Sequence, residues 1–284
     1  MGNVRRWRCA LAATALALAS ATRAGASGGW VEYSCAPSHL LGEDPIVHPG
    51  MQNASHLHQF FANRTTNASS TYASMVRGAS TCRASLGDTA GYWVPALYHN
   101  GVLIPPGGVS STGRRGRIWI VYRRGSDLPA GVPVEAPPPD LRIIAGKSKA
   151  QSAAENFPLG RQIYWRCANT TTQSKTPPPA CPNGLLALYV TFPRCWDGVV
   201  TGVDDTPHVV YPVRGTCPAG FSRTLPQITM RVEYPVGQQT GQITLSSGGS
   251  WTLHADFWNT WQQDKLEALV RDCLQAPNVD CGYR

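Results

Sequence analysis

The sequence predicts a mainly β protein: an antiparallel β-sandwich or jelly roll with a C-terminal amphipathic helix and disulfides. From about residue 92 onward, nine short β-branched or aromatic runs alternate with Gly and Pro punctuation. Charged residues make up only 15%, while 28 Gly and 23 Pro are present, which disfavours long helices and coiled coils. Hydrophobic residues reach 42%, enough apolar surface to form a core and to exclude a disordered chain. We expect one domain over residues 27–284.

The first 26 residues are typical of a secretory signal peptide. Arginines precede an apolar run over residues 9–21, and Ala24-Gly25-Ala26 offers a small-residue cleavage pattern. Such a run is too short for a membrane anchor. Removing the segment removes four arginines and no acidic residue, so the net charge falls from +8 to +4. We expect an extracellular, secreted protein without a membrane anchor; its scattered basic residues and lack of a nucleic-acid-reading motif predict no nucleic-acid partner.

Eight cysteines remain after the signal segment, and an even number in an exported chain predicts four disulfides. A thiolate zinc site is disfavoured because no two cysteines have the C-x2-C spacing. Eight cysteines allow 105 connectivities, so the spacing leaves the pairing open. The cysteines are Cys35, Cys82, Cys167, Cys181, Cys195, Cys217, Cys273 and Cys281.

The predicted strands follow in chain order, and two helices interrupt or end them. Pro95 lies inside the first run and predicts an edge or bulged strand there. An Ala-rich stretch over 147–157 predicts a short helix. A stronger helix begins near Thr260, which has capping-box spacing to Gln263; its core stripe is Leu266, Leu269, Val270 and Cys273. The strands are expected at 92–98, 117–122, 141–145, 162–167, 185–192, 208–213, 228–234, 242–246 and 251–255.

Histidines at alternate positions give the strongest local signal of function. His56 and His58 flank one residue, so on an extended chain both imidazoles point to the same face. His254 and Asp256 repeat that geometry, and His208 begins another predicted strand. These residues could hold one divalent metal ion, with His56, His58, His208 and His254 as ligands, or act as acid–base groups without metal. Isolated histidines of secreted β proteins are also commonly structural, so that alternative stays open.

Aromatic and polar residues close to these histidines predict a substrate-binding cleft. Flat rings suit sugar faces, which present C–H groups for stacking and hydroxyls for hydrogen bonds. Asp197 is a second candidate catalytic carboxylate. Asn63 and Arg64 are expected to orient substrate, and the candidate stacking platforms are Tyr92, Trp93, Tyr98 and Trp196.

Several long motifs follow one another along residues 56–273. They include His56-Leu-His58-Gln-Phe-Phe-Ala-Asn63-Arg64-Thr, Gly-Tyr92-Trp93-Val-Pro95, Phe192-Pro-Arg-Cys195-Trp196-Asp197-Gly198, His208-Val-Val-Tyr-Pro and His254-Ala-Asp256-Phe257. In these motifs the chain resembles a secreted family known as the domain of unknown function numbered nineteen-ninety-six. The resemblance implies secretion and a shared polar constellation, and domains of the family often lie beside carbohydrate-binding or cell-wall modules. Gly249 departs from the family pattern, which has Asp there.

Together these observations favour a secreted enzyme that cleaves polysaccharide, as a hydrolase or a lyase, with a His/Asp cluster in an aromatic-lined cleft. Its partner would be a polysaccharide or cell-wall glycan, and its cofactor a single divalent metal ion if the histidines are ligands. Two alternatives stay open: a non-catalytic cell-wall or glycan-binding protein whose histidines stabilise the fold, and a secreted metal-binding or oxidative protein.

Overall fold

The computed structural model describes residues 29–129, 131–156, 162–203, 207–275 and 281. The predicted signal segment, residues 1–26, lies outside the described residues. The described strands are β1 (Trp30–Cys35), β2 (Pro37–Leu41), β3 (His58–Ala62), β4 (Gly91–Pro95), β5 (Leu97–His99), β6 (Val102–Ile104), β7 (Ile118–Arg123), β8 (Arg142–Gly146), β9 (Ile163–Cys167), β10 (Leu186–Thr191), β11 (Cys195–Trp196), β12 (Val209–Val210), β13 (Arg223–Thr224), β14 (Gln227–Tyr234), β15 (Ile243–Leu245), β16 (Gly248–Gly249) and β17 (His254–Trp258).

Helices are short and lie between or after the strands. The α-helices are α1 (Tyr72–Met75), α2 (Ala153–Asn156) and α3 (Gln263–Leu269). Single 3-10 turns occupy Ala84–Leu86 and Ser250–Thr252, and a π-helical turn, Val270–Leu274, continues α3.

Two five-stranded antiparallel sheets face each other across the main core. Their strand orders are β1-β7-β14-β10-β9 and β2-β3-β4-β17-β8. Apolar side chains of both sheets, such as Ile120 and Tyr122 from the first and Ala255 and Phe257 from the second, belong to one buried cluster. Two smaller sheets have the orders β12-β11-β13 and β16-β15-β5-β6. The predicted mainly antiparallel β fold is confirmed.

The second sheet also buries its outer face, and this face carries the candidate site. Phe60, Trp93 and Trp258 form a separate apolar cluster there, joined by Met75 and Ile46. Ile46 lies in the connection between β2 and β3, residues 42–57, which therefore packs on the outer face. Below we call this connection the covering loop. Burial on both faces explains why every residue of β3, β4 and β17 is buried.

Most predicted strands lie within one or two residues of observed ones. The run at 92–98 divides into β4 and β5, and β4 is a central strand, so the edge position predicted from Pro95 is wrong. The run at 208–213 shrinks to β12, and the run at 251–255 begins only at His254 because Ser250–Thr252 form a 3-10 turn. None of the nine predicted strands covers β1, β2, β3, β6, β11, β13 or β16.

The C-terminal helix is confirmed, but its start differs from the prediction. Leu266, Val270 and Cys273 are buried as the stripe predicts. Thr260 does not cap the helix, because its hydroxyl donates to the Thr89 carbonyl at 2.6 Å. The other predicted helix, 147–157, is helical only at Ala153–Asn156, and residue 157 lies outside the described residues.

Four disulfides join the eight cysteines, as their even number predicts. The pairs are Cys35–Cys82, Cys167–Cys181, Cys195–Cys217 and Cys273–Cys281. The last pair ties the π-helical turn after α3 to residue 281. Each closed loop stabilises the fold mainly by restricting the unfolded chain. Across the described part of the chain, no helix has both the length and the apolar character needed to cross a membrane.

Candidate functional site

Three histidines meet on the outer face of the second sheet. His58 begins β3 and pairs with Pro95 of β4, while His254 begins β17, on the other side of β4. His56 precedes β3 by two residues and points to the same side. The ring centroids are 4.1 Å apart for His56 and His58, 5.0 Å for His56 and His254, and 5.7 Å for His58 and His254. Only the short ring of Pro95 separates the two strand histidines, so their imidazoles can converge above it.

The backbone beside His254 approaches closely and requires glycine. Gly146 of β8 pairs with His254 and has a φ of +92°, which side chains rarely adopt. A Cβ at Gly146 would lie 2.5 Å from the Leu253 carbonyl oxygen and 2.8 Å from the His254 Cα. This packing fixes the start of β17 and with it the His254 ring.

Backbone carbonyls fix the tautomer of both buried histidines. The Nδ1 of His58 lies 2.9 Å from the Glu43 carbonyl oxygen, and the Nδ1 of His254 lies 2.8 Å from the Thr252 carbonyl oxygen. A carbonyl only accepts, so each Nδ1 carries the hydrogen and each Nε2 keeps a lone pair. The Nε2 atoms of His56 and His254 are 3.2 Å apart. This arrangement, with Nδ1 bonded to a carbonyl and Nε2 directed inward, is typical of metal-ligating histidines.

Burial keeps the three imidazoles neutral near pH 7. It lowers the pKa of His56 and of His254 to about 4, and neighbouring positive charge adds to the effect at both. The pKa of His58 is also lowered well below its usual value, by burial first and then by the other two histidines. A metal ion binds only neutral imidazole. These three groups are already neutral near pH 7, so they can bind a metal ion there without first losing a proton.

Two carboxyl groups adjoin the histidines. One ligand atom from each of Asp44, His58 and Asp256 lies within 4.8 Å of the others. Asp44 accepts hydrogen bonds from the backbone N–H groups of Ile46 and Val47, both at 3.0 Å. Asp256 is 1% exposed, and within the described ranges neither of its oxygens has a hydrogen-bond partner. Burial, followed by the charge of Asp44, raises the pKa of Asp256 well above its usual value.

The donor set fits a divalent transition-metal ion. One ligand nitrogen from each of His56, His58 and His254 lies within 4.8 Å of the others. Imidazole suits zinc and copper, whereas calcium and magnesium prefer oxygen ligands. The Nε2 of His58 and both oxygens of Asp256 are buried without a partner among the described residues. Such atoms are costly to bury, and a cation beside them would offset that cost.

His208 and Asp197 lie away from this cluster. The Nε2 of His208 is 2.7 Å from the Arg142 carbonyl oxygen. Arg142 is four residues along β8 from Gly146, the partner of His254, which places His208 about 13 Å away. Asp197 accepts hydrogen bonds from the backbone of Val199 and Val200 and so shapes a turn. The Asp197 N–H donates to the His208 carbonyl at 3.0 Å, so these two residues lie together but apart from the three clustered histidines.

The predicted substrate-orienting residues also lie elsewhere. Asn63 is fully buried: its amide donates to the Met75 and Thr89 carbonyls at 2.8 and 2.7 Å, and its Oδ1 accepts from Thr65. It therefore holds loops together rather than facing solvent. Arg64 is exposed.

Most of the predicted stacking rings are part of the protein core. Tyr92 and Trp93 are fully buried, on opposite faces of β4. Trp196 is packed in the main core, and its indole N–H donates to the Val200 carbonyl at 2.7 Å. Because all three rings are buried, none of them can stack on a substrate. Their large apolar area stabilises the core instead. Tyr98 alone of the four predicted rings is partly exposed.

The covering loop contributes two groups, Asp44 and His48, that are not among the predicted site residues. Asp44 lies beside Asp256, and His48 interacts electrostatically with both Asp44 and His56. The local signal was the acidic pair Glu43-Asp44 followed by Pro45, just upstream of the alternate histidines. A polar segment shortly before two alternate histidines could have indicated that this segment contributes further side chains to the site.

The comparisons with known proteins identify a family and no characterised relative. No curated protein and no solved structure matches the chain. One family, described as a domain of unknown function (DUF1996), matches residues 44–261. The match begins at Asp44, earlier than the expected start at residue 56, so it includes most of the covering loop; it ends before α3. It contains all three clustered histidines and both carboxyl groups, and the chain belongs to this family of domains of unknown function.

Proposed function

We propose that the protein is a secreted, metal-dependent enzyme that cleaves polysaccharide, as a hydrolase or a lyase. His56, His58 and His254 hold a divalent transition-metal ion. The observation that carries the proposal is the convergence of three neutral imidazoles, two with their tautomer fixed by backbone carbonyls. The extracellular destination predicted from the N-terminal segment, together with four disulfides, supports a substrate outside the cell.

The bound ion would polarise a substrate oxygen or lower the pKa of a bound water. The residues of the chain have separate tasks around it. Glu43 and Thr252 hold the two buried imidazoles in place through their carbonyls, which keeps Nε2 directed inward. His56 is half-buried and marks the side from which substrate approaches. Asp256, whose oxygens have no partner in the described ranges, can exchange a proton with a water or a leaving oxygen at the site.

The first test is elemental analysis of protein purified without an affinity tag, since tags rich in histidine bind metal themselves. We expect about one equivalent of zinc or copper in the wild type. His56→Ala should lose most of it, because one of three neutral ligands is removed while the half-buried position tolerates the change. His208→Ala is the matched control and should keep the metal. Folded wild type that takes up neither ion after reconstitution would contradict the proposal.

The second test measures product release from a panel of neutral and acidic polysaccharides. His56→Ala should lose turnover while its thermal unfolding stays close to that of the metal-free wild type, because a bound ion itself stabilises the folded state. His208→Ala should remain active. Turnover that survives in metal-free protein would contradict the metal-dependent mechanism.

A secreted oxidative protein is the second candidate, because a ligand set of imidazoles also suits copper. It predicts copper rather than zinc in the purified protein, and oxidised products that form only with added reductant. Glycan binding without any product would instead favour the non-catalytic alternative.

A further inference from the structure

We propose that Trp251 and Tyr98 form a sugar-stacking subsite that places an extended, neutral polysaccharide chain beside the histidine cluster. This inference deepens the proposed function and rests on it for the place of cleavage, but binding at the subsite does not require metal.

Trp251 presents its indole ring to solvent. The residue is 38% exposed, and it is the one aromatic residue among the exposed large hydrophobic residues of the described chain. The other tryptophans among the described residues are buried, apart from Trp30, which is partly buried. A ring face open to solvent is available to stack on a ligand.

The ring lies flat on Gly249. A Cβ at Gly249 would be 2.4, 2.5 and 2.6 Å from Cζ2, Cε2 and Cη2 of Trp251. Three neighbouring ring atoms at nearly equal distances mean that the ring lies face-on to the backbone. Gly249 has an ordinary φ of −65°, so glycine is required here for space and not for conformation. One ring face therefore rests on the backbone, and the opposite face points outward.

Tyr98 lies in the same row of the small sheet β16-β15-β5-β6. Thr244 of β15 pairs with Gly249 on one side and with Tyr98 on the other. The next pair along these strands, Leu97 with Leu245, is buried in the core. Because side chains alternate, Tyr98, Thr244 and the Cβ side of Gly249 face outward together. All three are partly exposed.

The spacing of this row suits an extended glycan. Two strand separations lie between Gly249 and Tyr98, so the Trp251 ring over Gly249 lies about 10 Å from the start of the Tyr98 side chain. That is the span of two sugar rings in an extended chain. The hydroxyls of Thr244 and Tyr98 supply hydrogen bonds between and beside the stacked rings. No charged residue belongs to the row, which favours a neutral glycan over a uronate.

Hydrogen bonds join the subsite rigidly to the histidine cluster. Trp251 precedes Thr252, whose carbonyl accepts from His254 Nδ1 at 2.8 Å. The Asn156 amide donates to the Trp251 and Leu253 carbonyls at 2.7 and 2.6 Å. On the other side, the Ser246 hydroxyl donates to the Leu57 carbonyl, between His56 and His58. A chain stacked on Trp251 would thus have a fixed position relative to the imidazoles.

The test is calorimetric titration with cellohexaose and chitohexaose, with oligogalacturonate and a proline decapeptide as comparators. Trp251→Ala should weaken binding of at least one neutral hexasaccharide roughly 3- to 10-fold, as expected for loss of one stacking contact. Tyr98→Ala should weaken it less. Val199→Ala, which shortens an exposed apolar side chain elsewhere, is the control and should bind as the wild type does.

Binding by His56→Ala separates this inference from the metal-dependent function. Retained hexasaccharide binding in that variant, with loss in Trp251→Ala, supports the subsite whether or not the protein has turnover. Equal affinity of Trp251→Ala and wild type would overturn the inference. Binding of the proline decapeptide instead of both hexasaccharides would also overturn it, since a polyproline helix has a repeat of similar length.

Discussion

Asp88 and Asp256 are both buried carboxyl groups, but among the described residues only Asp88 has hydrogen-bond partners. Asp88, 2% exposed, lies in the core between the two large sheets, where Tyr33 and Tyr92 donate to its Oδ2 at 2.6 and 3.1 Å and the Ala90 N–H donates to Oδ1 at 3.0 Å. Asp256 lies on the outer face of the second sheet and accepts none of the hydrogen bonds found among the described residues.

The difference shows that burial alone does not identify a functional carboxyl group. Burial raises the pKa of both groups, but the donors around Asp88 oppose the rise and hold its pKa at about 7. No described residue donates a hydrogen bond to Asp256, and the charge of Asp44 raises its pKa further. A buried carboxyl group with hydrogen-bond partners stabilises the fold. A buried carboxyl group without such partners, close to a cluster of imidazoles, indicates that a ligand binds or a reaction takes place there.

The largest expected effect is on stability at Asp88. Asp88→Ala leaves the hydroxyls of Tyr33 and Tyr92 and the Ala90 N–H without their acceptor in the core. We expect the free energy of unfolding to fall by about 3 to 5 kcal/mol, because buried donors lose their partners. Urea denaturation measures the change. Asp264→Ala, an exposed substitution, is the control and should change stability by less than about 0.5 kcal/mol.

The pH dependence of stability tests the same group with a matched variant. The pKa of Asp88 is raised from 3.8 to about 7, so its contribution is fully present below pH 3.8 and is lost as pH rises through 7. Tyr33, Tyr92 and Tyr122, which face it, have pKa values raised well above 10 and stay neutral in this range. Relative to Asp88→Asn, the wild type should therefore lose stability between pH 4 and 7, by at most about 4 kcal/mol. Parallel curves for the two proteins in urea titrations would contradict the raised pKa.

The opposite pattern is expected at Asp256. Asp256→Asn removes a carboxyl group that has no hydrogen-bond partner among the described residues, so the free energy of unfolding should change by less than about 1 kcal/mol. Turnover should fall about 100-fold or more, as is typical when a group that moves a proton is removed. Thermal unfolding and product release are measured on the same preparation. A stability loss as large as that of Asp88→Ala would mean that Asp256 is a structural group instead.

The sequence predicts the central strands because their pattern is local. Strands such as β7, β10 and β14 are apolar runs bounded by Gly and Pro, and they were found nearly at their observed bounds. The N-terminal strand β1 is not among the predicted strands, although its buried residues Val31, Tyr33 and Cys35 alternate with less buried ones. The start of α3 was misplaced because the Thr260 hydroxyl has a distant partner, Thr89, that competes with local capping.

Local sequence patterns also predict only part of the candidate site. Residues two apart on a strand share a face, so the sequence places His56 with His58 and His254 with Asp256. Which strands become neighbours is a long-range property, so the sequence could not separate His254, which joins the cluster, from His208, which does not. Asp44 reaches the site through the covering loop, and no periodic pattern predicts such an approach.

The smallest expected effect extends the comparison from carboxyl groups to hydroxyls. Tyr92 and Tyr234 are both fully buried in the main core, but the Tyr92 hydroxyl bonds to Asp88 and Tyr122, whereas that of Tyr234 has no hydrogen-bond partner in the described part of the chain. Tyr92→Phe should therefore destabilise the protein by about 1 to 2 kcal/mol, whereas Tyr234→Phe should stabilise it by up to about 1 kcal/mol, since a buried unpaired hydroxyl is removed without loss of ring packing. Urea denaturation of the two variants gives both values. If both substitutions destabilise the protein equally, hydrogen-bond partners do not separate structural polar groups from functional ones in this core. The absence of such partners around Asp256 in the described residues would then no longer indicate a function.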